Sequence, residues 1–585
     1  MLCNISLLFR DIFKFKKLLL WGQAVAITST LLVAIVPLFI PLLVDELLLH
    51  KEPRLTLFIS KYLGEMNVGG YVLLVLSIII LFRISSAMLG IMQSKIFATI
   101  SKKISYKLRI SLLNHLKRVS LKEYENFSVG SITSKLVTDI ETIDGFISTT
   151  ISKLVIAILT LVFSSIVLLW IHWQLALFIL ITNPIVVFFT AKFSRNIGIL
   201  KKEENRAIEE FQGSLSETLE LFHQIKATNK EEYFFDKTTI KADELKNHAI
   251  AYGYKSEVAM KWSYLIFLNG YEVFRAVSIL AVAYSDLSVG LMLAIFSYLW
   301  VMVGPTQDII NFQYALSNAK AACGRINTIF EMEQERLIPN AQNPFKGKES
   351  ISIELKNVSF SYKEGKEVLR DINMQFKTGQ KIAIVGASGS GKTTLANLIV
   401  GFYHADKGDI YYDGISSEKI ALSTVRENIH LILQHPKLFH DTIRFNLTLG
   451  HPYSDEEIHQ ALTIAQLDDV VAKLENGLET KVGRDGIKLS GGQRQRVAIA
   501  RMILSNPKVV IFDESTSALD THTEVRLFKA LSHFLAQKTV ITIAHRPSTI
   551  QNADIIFVLE HGELIDSGTP EVLLARENSY FANMH

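Results

Sequence analysis

The stretch Lys381-Ile-Ala-Ile-Val-Gly-Ala-Ser-Gly-Ser-Gly-Lys-Thr393 decides the fold of the C-terminal half of the chain. Its first five residues indicate a buried strand, and the residues after the glycines predict a helix through Leu398. The glycines allow backbone N–H groups to close around phosphates, while Lys392 neutralises the charge of the β- and γ-phosphates. Thr393 offers its hydroxyl to Mg²⁺. This strand–loop–helix order predicts a phosphate-binding loop in an α/β nucleotide-binding domain.

A second apolar run, Lys508-Val-Val-Ile-Phe512, predicts a central strand that is covered on both faces, and it ends in Asp513-Glu514. There Asp513 would hold Mg²⁺ from its second shell, and Glu514 is placed to polarise an attacking water. A third run, 539–544, ends at His545, which could hydrogen-bond a γ-phosphate. The alternative for the two acids is a solvated position at a strand end.

Leu489-Ser490-Gly491-Gly492-Gln493 runs directly into a helix-forming segment that ends near Arg501. The two glycines leave the N-terminus of this helix uncrowded, so its free N–H groups and partial positive charge suit an anion. In isolation, the same residues would more simply form a glycine turn capped by Ser490.

Length and composition bound the rest of the chain. Its 585 residues suffice for two or three domains. Hydrophobic residues make up 49% and the mean hydropathy is +0.26, which is high for a soluble protein, and the excess lies in the long apolar runs of the first half. A net charge of +4 gives no argument for nucleic acid. The two cysteines, Cys3 and Cys323, exclude a disulfide framework and fit a reducing cytoplasm.

Since about 20 apolar residues cross a bilayer, the apolar runs predict six spans, roughly 18–44, 70–92, 151–171, 174–191, 262–285 and 289–312.

The distribution of basic residues predicts the orientation of these spans. Lysines and arginines precede the first span and follow the second, whereas spans three and four, and spans five and six, are joined by only two or three residues. Both termini are therefore expected in the cytoplasm of a multi-pass protein of the inner or plasma membrane. The inner segments 93–150 and 192–261 indicate long helices that bend around 125–130 and 221–227.

Few polar residues interrupt the spans, and each is a candidate for substrate contact. Arg83 falls in span two, and Asn269, Glu272 and Arg275 recur at three-residue spacing in span five. Glu272 and Arg275 could neutralise each other as an i,i+3 pair or line a polar substrate cavity, and the two roles are compatible.

With these residues in place, the chain resembles the ATP-binding cassette (ABC) transporters along its whole length. Residues 489–493 match the family signature, 517–520 (Ser-Ala-Leu-Asp) its D-loop, and the six spans plus one cassette its exporter-type half-transporter layout. In size and layout the chain resembles bacterial lipid flippases and multidrug exporters most, an analogy at the level of the fold. The bends at 125–130 and 221–227 resemble the coupling helices. The layout predicts an all-α membrane domain at 1–332, a polar linker at 333–350 and an α/β P-loop ATPase cassette at 351–585.

The resemblance also implies roles for individual residues. Tyr362 would stack on adenine, Gln434 would link Mg²⁺ and water to the membrane helices, and His545 would be the switch histidine beside the catalytic Glu514. Thr393, Gln434 and Asp513 are the implied Mg²⁺ ligands. The residues implied to contact ATP are Tyr362, Gly386, Ser388, Gly389, Ser390, Gly391, Lys392, Thr393, Thr394, Asp513, Ser490, Gly491, Gly492, Gln493 and Asp520.

In this family the P-loop and the signature that face one ATP come from different cassettes, so the resemblance implies a dimer. A homodimer is favoured because neither the signature nor Glu514 is degenerate, and a heterodimer is the alternative. The expected function is ATP-driven export or flipping of an amphipathic lipid, drug or peptide across the bacterial inner membrane by alternating access. The alternatives are an importer on the exporter fold and an ATP-gated channel or regulatory ABC protein.

One position departs from the family pattern. Many exporters carry Val-Gly-Glu-x-Gly before the signature, whereas this chain has Val482-Gly483-Arg484-Asp485-Gly486. Arg484 is either a neutral change in a solvated loop or the mark of a charge partner that has changed sign. The change concerns coupling rather than hydrolysis.

Overall fold

The structure is a computed structural model that describes residues 3–51, 55–64, 66–285, 287–362, 365–483, 489–513, 520–543 and 552–576. At 55, 63, 179–180, 182–196, 263, 267, 310 and 521 only the backbone is described. The chain forms two compact units. The first comprises Met1–Lys117 and Ser128–Glu331, and the second Arg118–Phe127 and Met332–His585.

The first unit is helical, because a chain in lipid must satisfy its backbone hydrogen bonds within each segment. Short 3₁₀ and π turns at Val36–Leu38, Leu42–Leu48, Lys135–Asp139 and Phe146–Ile151 join several of its helices. The α-helices up to residue 330, of which α6 belongs to the second unit, are α1 (Ile5–Phe13), α2 (Lys16–Ile35), α3 (Phe39–Pro41), α4 (Leu55–Leu63), α5 (Val68–Leu116), α6 (Leu121–Glu125), α7 (Val129–Ser134), α8 (Ile140–Gly145), α9 (Ser152–Ile171), α10 (Trp173–Glu220), α11 (Phe222–Thr228), α12 (Glu231–Tyr284) and α13 (Val289–Phe330).

Each predicted span falls in this helical structure, which confirms the fold class. Among the described residues, five helical stretches are long and apolar enough to cross a membrane: Lys16–Leu48, Val68–Leu116, Val129–Ile171, Glu231–Tyr284 and Val289–Phe330. The predicted span 174–191 lies in α10, where most of its side chains are not described. Helix α5 has 49 residues and α12 has 54. At about 1.5 Å per residue, both extend far beyond a hydrocarbon core of about 30 Å.

The predicted bends are found close to their expected places. Helix α11 begins and ends within one residue of 221–227, and Asn229 ends it in the left-handed conformation, at φ 53°. The first bend differs more, because the short helix α6 ends at Glu125, where the predicted bend begins, and a turn leads on to α7. Ser120 and Ser128 accept hydrogen bonds from Glu123 N and Ser131 N as N-caps, and these caps set the two helix starts.

Within the first unit, neighbouring long helices pack in pairs: α2 along α5, α9 along α13, and α10 along α12. An apolar core gathers Leu168, Leu175, Phe274, Tyr298 and Met302 from α9, α10, α12 and α13.

The second unit is an α/β domain with two sheets. The strands are β1 (Ile353–Ser361), β2 (Glu367–Phe376), β3 (Lys381–Val385), β4 (Lys407–Tyr412), β5 (Ile415–Ser416), β6 (Ile429–Ile432), β7 (Val509–Asp513), β8 (Thr539–Ile543), β9 (Ile555–Glu560) and β10 (Glu563–Gly568). Its further helices are α14 (Lys392–Ile399), α15 (Leu422–Asn428), α16 (Ile443–Thr448), α17 (Asp455–Ile464), α18 (Asp468–Ala472), α19 (Gly491–Ser505), α20 (Thr521–Leu535) and α21 (Pro570–Leu574).

The larger sheet has the order β10-β9-β3-β8-β7-β6 and is parallel except for β10. Parallel strands place their carboxyl ends at one edge, where ligands bind in such sheets. The smaller sheet, β2-β1-β4-β5, is antiparallel. A large apolar core joins the two sheets through residues such as Phe360, Ile384 and Ile511, all at most 1% exposed.

Segment 118–127, which carries α6, packs onto the second unit. Its backbone exchanges hydrogen bonds with the stretch after α13, from Ser120 N to Glu333 O (3.0 Å) and from Glu335 N to Arg118 O (2.7 Å). Leu121 packs against the apolar core described above. The residues predicted as a linker, 333–350, include Phe345, which is only 2% exposed and belongs to the same core.

Candidate functional site

The loop 386–391 turns the chain from β3 into α14 at the carboxyl edge of the larger sheet. Gly386 has φ 150°, and a Cβ there would lie 2.0 Å from the Leu559 carbonyl oxygen, so no other residue fits. Gly391 has φ 99° and precedes α14 as its N-cap. Ser388 and Gly389 are exposed at the top of the loop, whereas Ser390 is buried. The loop therefore holds its backbone N–H groups at the start of a helix, where an anion is favoured.

Lys392 is the cation of this loop. Its ammonium group is part of a side chain only 6% exposed, and it donates to the carbonyl oxygens of Gly386 (2.9 Å) and Ala387 (2.8 Å). It also lies 3.4 Å from Ser390 Oγ. A cation held this way by the loop's own oxygens is placed to pair with a bound phosphate.

Two oxygen atoms that could coordinate a metal ion lie next to each other beside the loop. The Thr393 hydroxyl donates to Asp513 Oδ1 at 3.3 Å, and Asp513, the last residue of β7, is 5% exposed. A hydroxyl and a carboxylate are the hard ligands that Mg²⁺ prefers, so the donor set fits this ion. Gln434 follows β6, the neighbour of β7, and its carbonyl oxygen accepts from Gln495 Nε2 at 3.1 Å. Gln434 and Asp513 thus lie at the ends of the adjacent parallel strands β6 and β7, and Thr393 reaches Asp513 from the start of α14.

Tyr362 stands next to the start of α14. Its hydroxyl lies 3.0 Å from Thr394 Oγ1, and its ring packs edge-on against Phe360 and Tyr403 at 5.1 and 5.3 Å between centroids. The side chain is 38% exposed, so part of the ring is accessible for stacking. An aromatic face beside a phosphate loop suits a nucleobase.

The signature residues form the capped start of α19. Ser490 Oγ accepts from Gln493 N (3.2 Å), and Gln493 Oε1 accepts from Ser490 N (2.7 Å), which makes a capping box. Gly491 and Gly492 form the first turn, and Arg494 donates to the Leu489 carbonyl oxygen at 2.9 Å. This 15-residue helix presents a positive end with small side chains.

Asp520 is the side-chain N-cap of α20. Its carboxylate accepts from Thr523 N at 2.9 Å at the start of α20, and this hydrogen bond lowers the pKa of Asp520. The predicted catalytic residues Glu514 and His545 lie outside the described residues, as do Arg484 and residues 517–519 of the D-loop. Their roles stay predictions.

Comparison with known proteins identifies the family. Residues 369–517 match the family model described as ABC transporter, and residues 20–306 match the ABC transporter transmembrane region. The chain is 31% identical over 519 residues to the ATP-dependent lipid A-core flippase of Photorhabdus laumondii, with 87% of each chain covered. The chain belongs to the ABC transporter family.

Two further matches agree with this assignment. A multidrug resistance ABC transporter ATP-binding and permease protein of Lactococcus lactis is 30% identical over 547 residues, which cover 92% of this chain and 90% of the relative. The solved structure of a bacterial Atm1-family ABC exporter with ATP bound has 24% identity and a TM-score of 0.81, over 99% of this chain and 98% of that chain. That likeness shows that the two chains share a fold.

In this ABC transporter, the polar residues predicted inside the spans are exposed. Arg275 Nη2 lies 2.6 Å from Glu272 Oε2, so the i,i+3 ion pair is formed. Both side chains are about half exposed, and Asn269 on the same helix and Arg83 on α5 are exposed too. A role of these four residues in a substrate cavity stays a prediction.

One part of the site was not predicted from the sequence. Tyr403, which follows α14, donates its hydroxyl hydrogen bond to Glu125 Oε2 of α6 at 2.6 Å, and its ring contacts Tyr362. Burial and, to a lesser degree, Glu125 raise the pKa of Tyr403 well above its usual value, so the hydroxyl remains a donor. The aromatic pair Phe402-Tyr403 straight after the P-loop helix was the available signal.

Proposed function

We propose that this ABC transporter uses ATP to export or flip an amphipathic substrate across the bacterial inner membrane, and that it works as a homodimer. The observation that carries the proposal is the meeting of Lys392, Thr393 and Asp513 at one edge of a parallel sheet, in a chain that also carries a capped signature helix. A phosphate-binding and magnesium-binding edge of this kind is suited to hydrolysing a nucleoside triphosphate.

The roles follow from the chemistry of the side chains. Tyr362 stacks on the base, the loop 386–391 and Lys392 hold the β- and γ-phosphates, and Thr394 keeps Tyr362 in place through its hydroxyl. Thr393 and Asp513, with Gln434, would hold Mg²⁺, which neutralises phosphate charge when bound. Glu514 takes the role of the base that orients the attacking water. His545 takes the role of the residue that donates a hydrogen bond to the γ-phosphate.

The dimer follows from the signature helix. In the family arrangement, the ATP that faces the signature of one cassette is bound by the P-loop of the other. Ser490 and the first N–H groups of α19 would therefore bind the γ-phosphate of the ATP on the partner cassette. When ATP is bound, the two sites of the dimer close at the same time, and hydrolysis opens them again. Alternation between the closed and open states exposes the substrate cavity to one side of the membrane and then to the other.

Segment 118–127 supports coupling between hydrolysis and transport. The segment belongs to the cassette unit, whereas the chain on both sides of it belongs to the membrane unit. A shift of the cassette that carries α6 along therefore pulls on the ends of α5 and α7, to which α6 is joined by only a few residues.

The substrate class is proposed from the relatives. Two similar proteins are named for lipid A-core flipping and for multidrug resistance, both of which concern amphipathic molecules. The half-exposed Glu272–Arg275 pair offers both charges to a polar head group at the face of α12.

The test is ATP hydrolysis and transport by the purified full chain in lipid vesicles, with a panel of lipids, amphipathic drugs and peptides. We expect stimulated hydrolysis and movement of the same compound in one direction, with ATP added on the cassette side. Lys392→Ala should abolish both activities, and Glu514→Gln should bind ATP but stop turnover, while Lys473→Ala, an exposed lysine of the same cassette, should leave both unchanged. Flux in the opposite direction would assign an importer, and passive ion currents a channel.

A further inference from the structure

The two cysteines of this chain lie side by side. They are 320 residues apart in the sequence, yet the Cys3 thiol donates to Cys323 Sγ at a sulfur–sulfur distance of 2.9 Å. Both side chains are buried, at 7% and 3% exposed, and neither takes part in the ATP site. Since 585 residues contain only these two cysteines, their meeting calls for a chemical explanation.

Further contacts fix this geometry. The Cys3 N–H donates to Asn327 Oδ1 (2.5 Å), and Asn327 Nδ2 donates back to the Cys3 carbonyl oxygen (2.9 Å). Asn327 lies one helical turn after Cys323 on α13, so one face of α13 holds both the backbone and the thiol of Cys3. At the other end of α1, Asp11 pairs with Lys107 of α5 at 3.1 Å. Contacts at both ends of α1, with α13 and with α5, therefore hold Cys3 beside Cys323.

We propose that Cys3 and Cys323 form a dithiol site that a small hydroperoxide oxidises to an intramolecular disulfide. Sulfurs 2.9 Å apart need to approach by less than about 1 Å to reach the bonding distance of a disulfide. A thiol that donates to a neighbouring sulfur also stabilises that sulfur as the thiolate, which is the reactive form. In a reducing compartment, disulfides of this kind are formed transiently in response to oxidants.

A small cavity gives the oxidant access. It has a volume of 60 Å³, and Cys3 lines it together with residues of α1, α5 and α13. That is room for a molecule somewhat larger than water, such as hydrogen peroxide. Arg10, Asp11 and Lys107 line the same cavity, so its wall is partly polar.

The chemistry balances in two steps. The Cys3 sulfur, which lines the cavity, passes its proton to Cys323 Sγ and attacks one peroxide oxygen. The O–O bond breaks, Cys3 becomes a sulfenic acid, and the second oxygen leaves as water after taking up a proton. The Cys323 sulfur then attacks the sulfenic sulfur of Cys3, the S–O bond breaks, and a second water leaves. Overall two thiols lose two electrons and two protons, and one peroxide is reduced to two waters.

The disulfide would tie the start of α1 covalently to the last turns of α13. In the reduced form, α1 is held there by hydrogen bonds and packing, which can open locally. In the oxidised form the disulfide prevents this local opening. The change in local stability is therefore expected in α1 and at the end of α13. Because this chemistry needs neither ATP nor a partner chain, it stands independently of the proposed function.

The test treats the purified full-length chain in lipid nanodiscs with excess hydrogen peroxide, then counts thiols after denaturation with a maleimide–polyethylene glycol reagent. We expect the wild-type chain to lose both thiols, to keep the mobility of a single chain on a non-reducing gel, and to regain both thiols with dithiothreitol. Amide exchange of Ile5–Phe13 should slow in the oxidised form. Retention of both thiols, a covalent dimer, or loss that dithiothreitol does not reverse would overturn the proposal.

A matched variant separates proximity from general reactivity. Cys323→Ser combined with Gly324→Cys keeps two cysteines but moves one by one residue, to an exposed position with open space around it. One helical residue turns the side chain by about 100° away from Cys3. Disulfide formation should be at least about tenfold slower in this variant. Equal rates in the two proteins would contradict a specific site.

Discussion

At the scale of single residues, Tyr403 joins two parts of the cassette that have different tasks. Its ring contacts the ring of Tyr362, which is expected to stack on adenine, and its hydroxyl donates to Glu125 of α6 at 2.6 Å. A change in the position of Tyr362 therefore reaches α6 through a single side chain. Such a contact is a candidate for transmitting nucleotide binding to segment 118–127.

Tyr403→Phe tests this contact because it removes the donor and keeps the ring. We expect the free energy of unfolding of the cassette to fall by about 1.5–3 kcal/mol, the usual contribution of a hydrogen bond to a charged group. Basal ATP hydrolysis should change little, while its stimulation by substrate should drop several-fold. Denaturant unfolding and hydrolysis assays measure the two effects.

Tyr411→Phe is the control for that substitution. Among the residues that the structure describes, the Tyr411 hydroxyl has no hydrogen bond, and Lys356 Nζ lies 4.9 Å from the ring centroid, a contact that phenylalanine retains. Unchanged stimulation in Tyr403→Phe, or an equal loss in Tyr411→Phe, would show that the Tyr403–Glu125 bond does not serve coupling.

His430 gives the cassette a dependence of stability on pH. Burial, with a smaller contribution from Arg501, lowers the pKa of His430 on β6 to about 4. The unfolded chain binds the proton near pH 6.5, so stability is full above that pH and is lost as the pH falls from 6.5 towards 4. The loss should be roughly 1–3 kcal/mol, because the ring keeps partial contact with solvent.

Unfolding of the transporter's cassette followed between pH 7.5 and 4 measures this effect. His430→Gln should flatten the pH dependence, while His459→Gln, on the exposed face of α17, should leave it as in the wild type. A slope that survives in His430→Gln would assign the dependence to other groups.

At the scale of elements, the cassette contains two helices that begin with the same chemistry. Ser490 and Gln493 form the capping box of α19, and Ser454 and Glu457 form that of α17. Both serines accept from the N3 amide at 3.2 Å. The caps should contribute equally to stability, since the same orphan amide is satisfied in each. They differ in that only Ser490 belongs to the signature.

Ser490→Ala and Ser454→Ala therefore form a matched pair. Each should lower the free energy of unfolding by about 1 kcal/mol. Only Ser490→Ala should also reduce ATP hydrolysis, by at least about tenfold, because the proposed contact of Ser490 with phosphate would be lost as well as the cap. Equal hydrolysis in the two variants at equal stability would reduce Ser490 to a structural cap.

The sequence predicted what depends on local pattern and left out what depends on distant contacts. The apolar runs and glycine spacing were sufficient for β3, the P-loop, β7 and the long helices, because each has a periodicity or motif within its own residues. The first bend was displaced, since α6 begins at the N-cap Ser120, α7 begins at the N-cap Ser128, and segment 118–127 packs on the cassette. The Glu125–Tyr403 bond and the Cys3–Cys323 contact join residues 278 and 320 positions apart, which no local pattern records.

At the scale of the whole molecule, the chain carries one P-loop and one signature. If each ATP is bound by the P-loop of one chain and the signature of the other, the two motifs in a chain serve different ATP molecules. In the alternative arrangement each chain completes its own ATP site. Dimers of two chains with different substitutions, in the P-loop or in the signature, distinguish the two arrangements, because each arrangement places the substituted motifs in different ATP sites.

A dimer of one Lys392→Ala chain and one Ser490→Ala chain decides between them. In the shared arrangement one site combines both defects and the other combines two intact motifs. The mixed dimer should therefore recover about half of the wild-type hydrolysis, although each homodimer loses at least about nine-tenths of it. A control pairs a wild-type chain with a chain carrying both substitutions. There each shared site has one defect and hydrolysis should be lost, whereas a chain that completes its own site would keep about half. Differently tagged chains, purified through both tags and assayed for hydrolysis, give both results, and activity in the control but not in the first mixture would rule out the shared site.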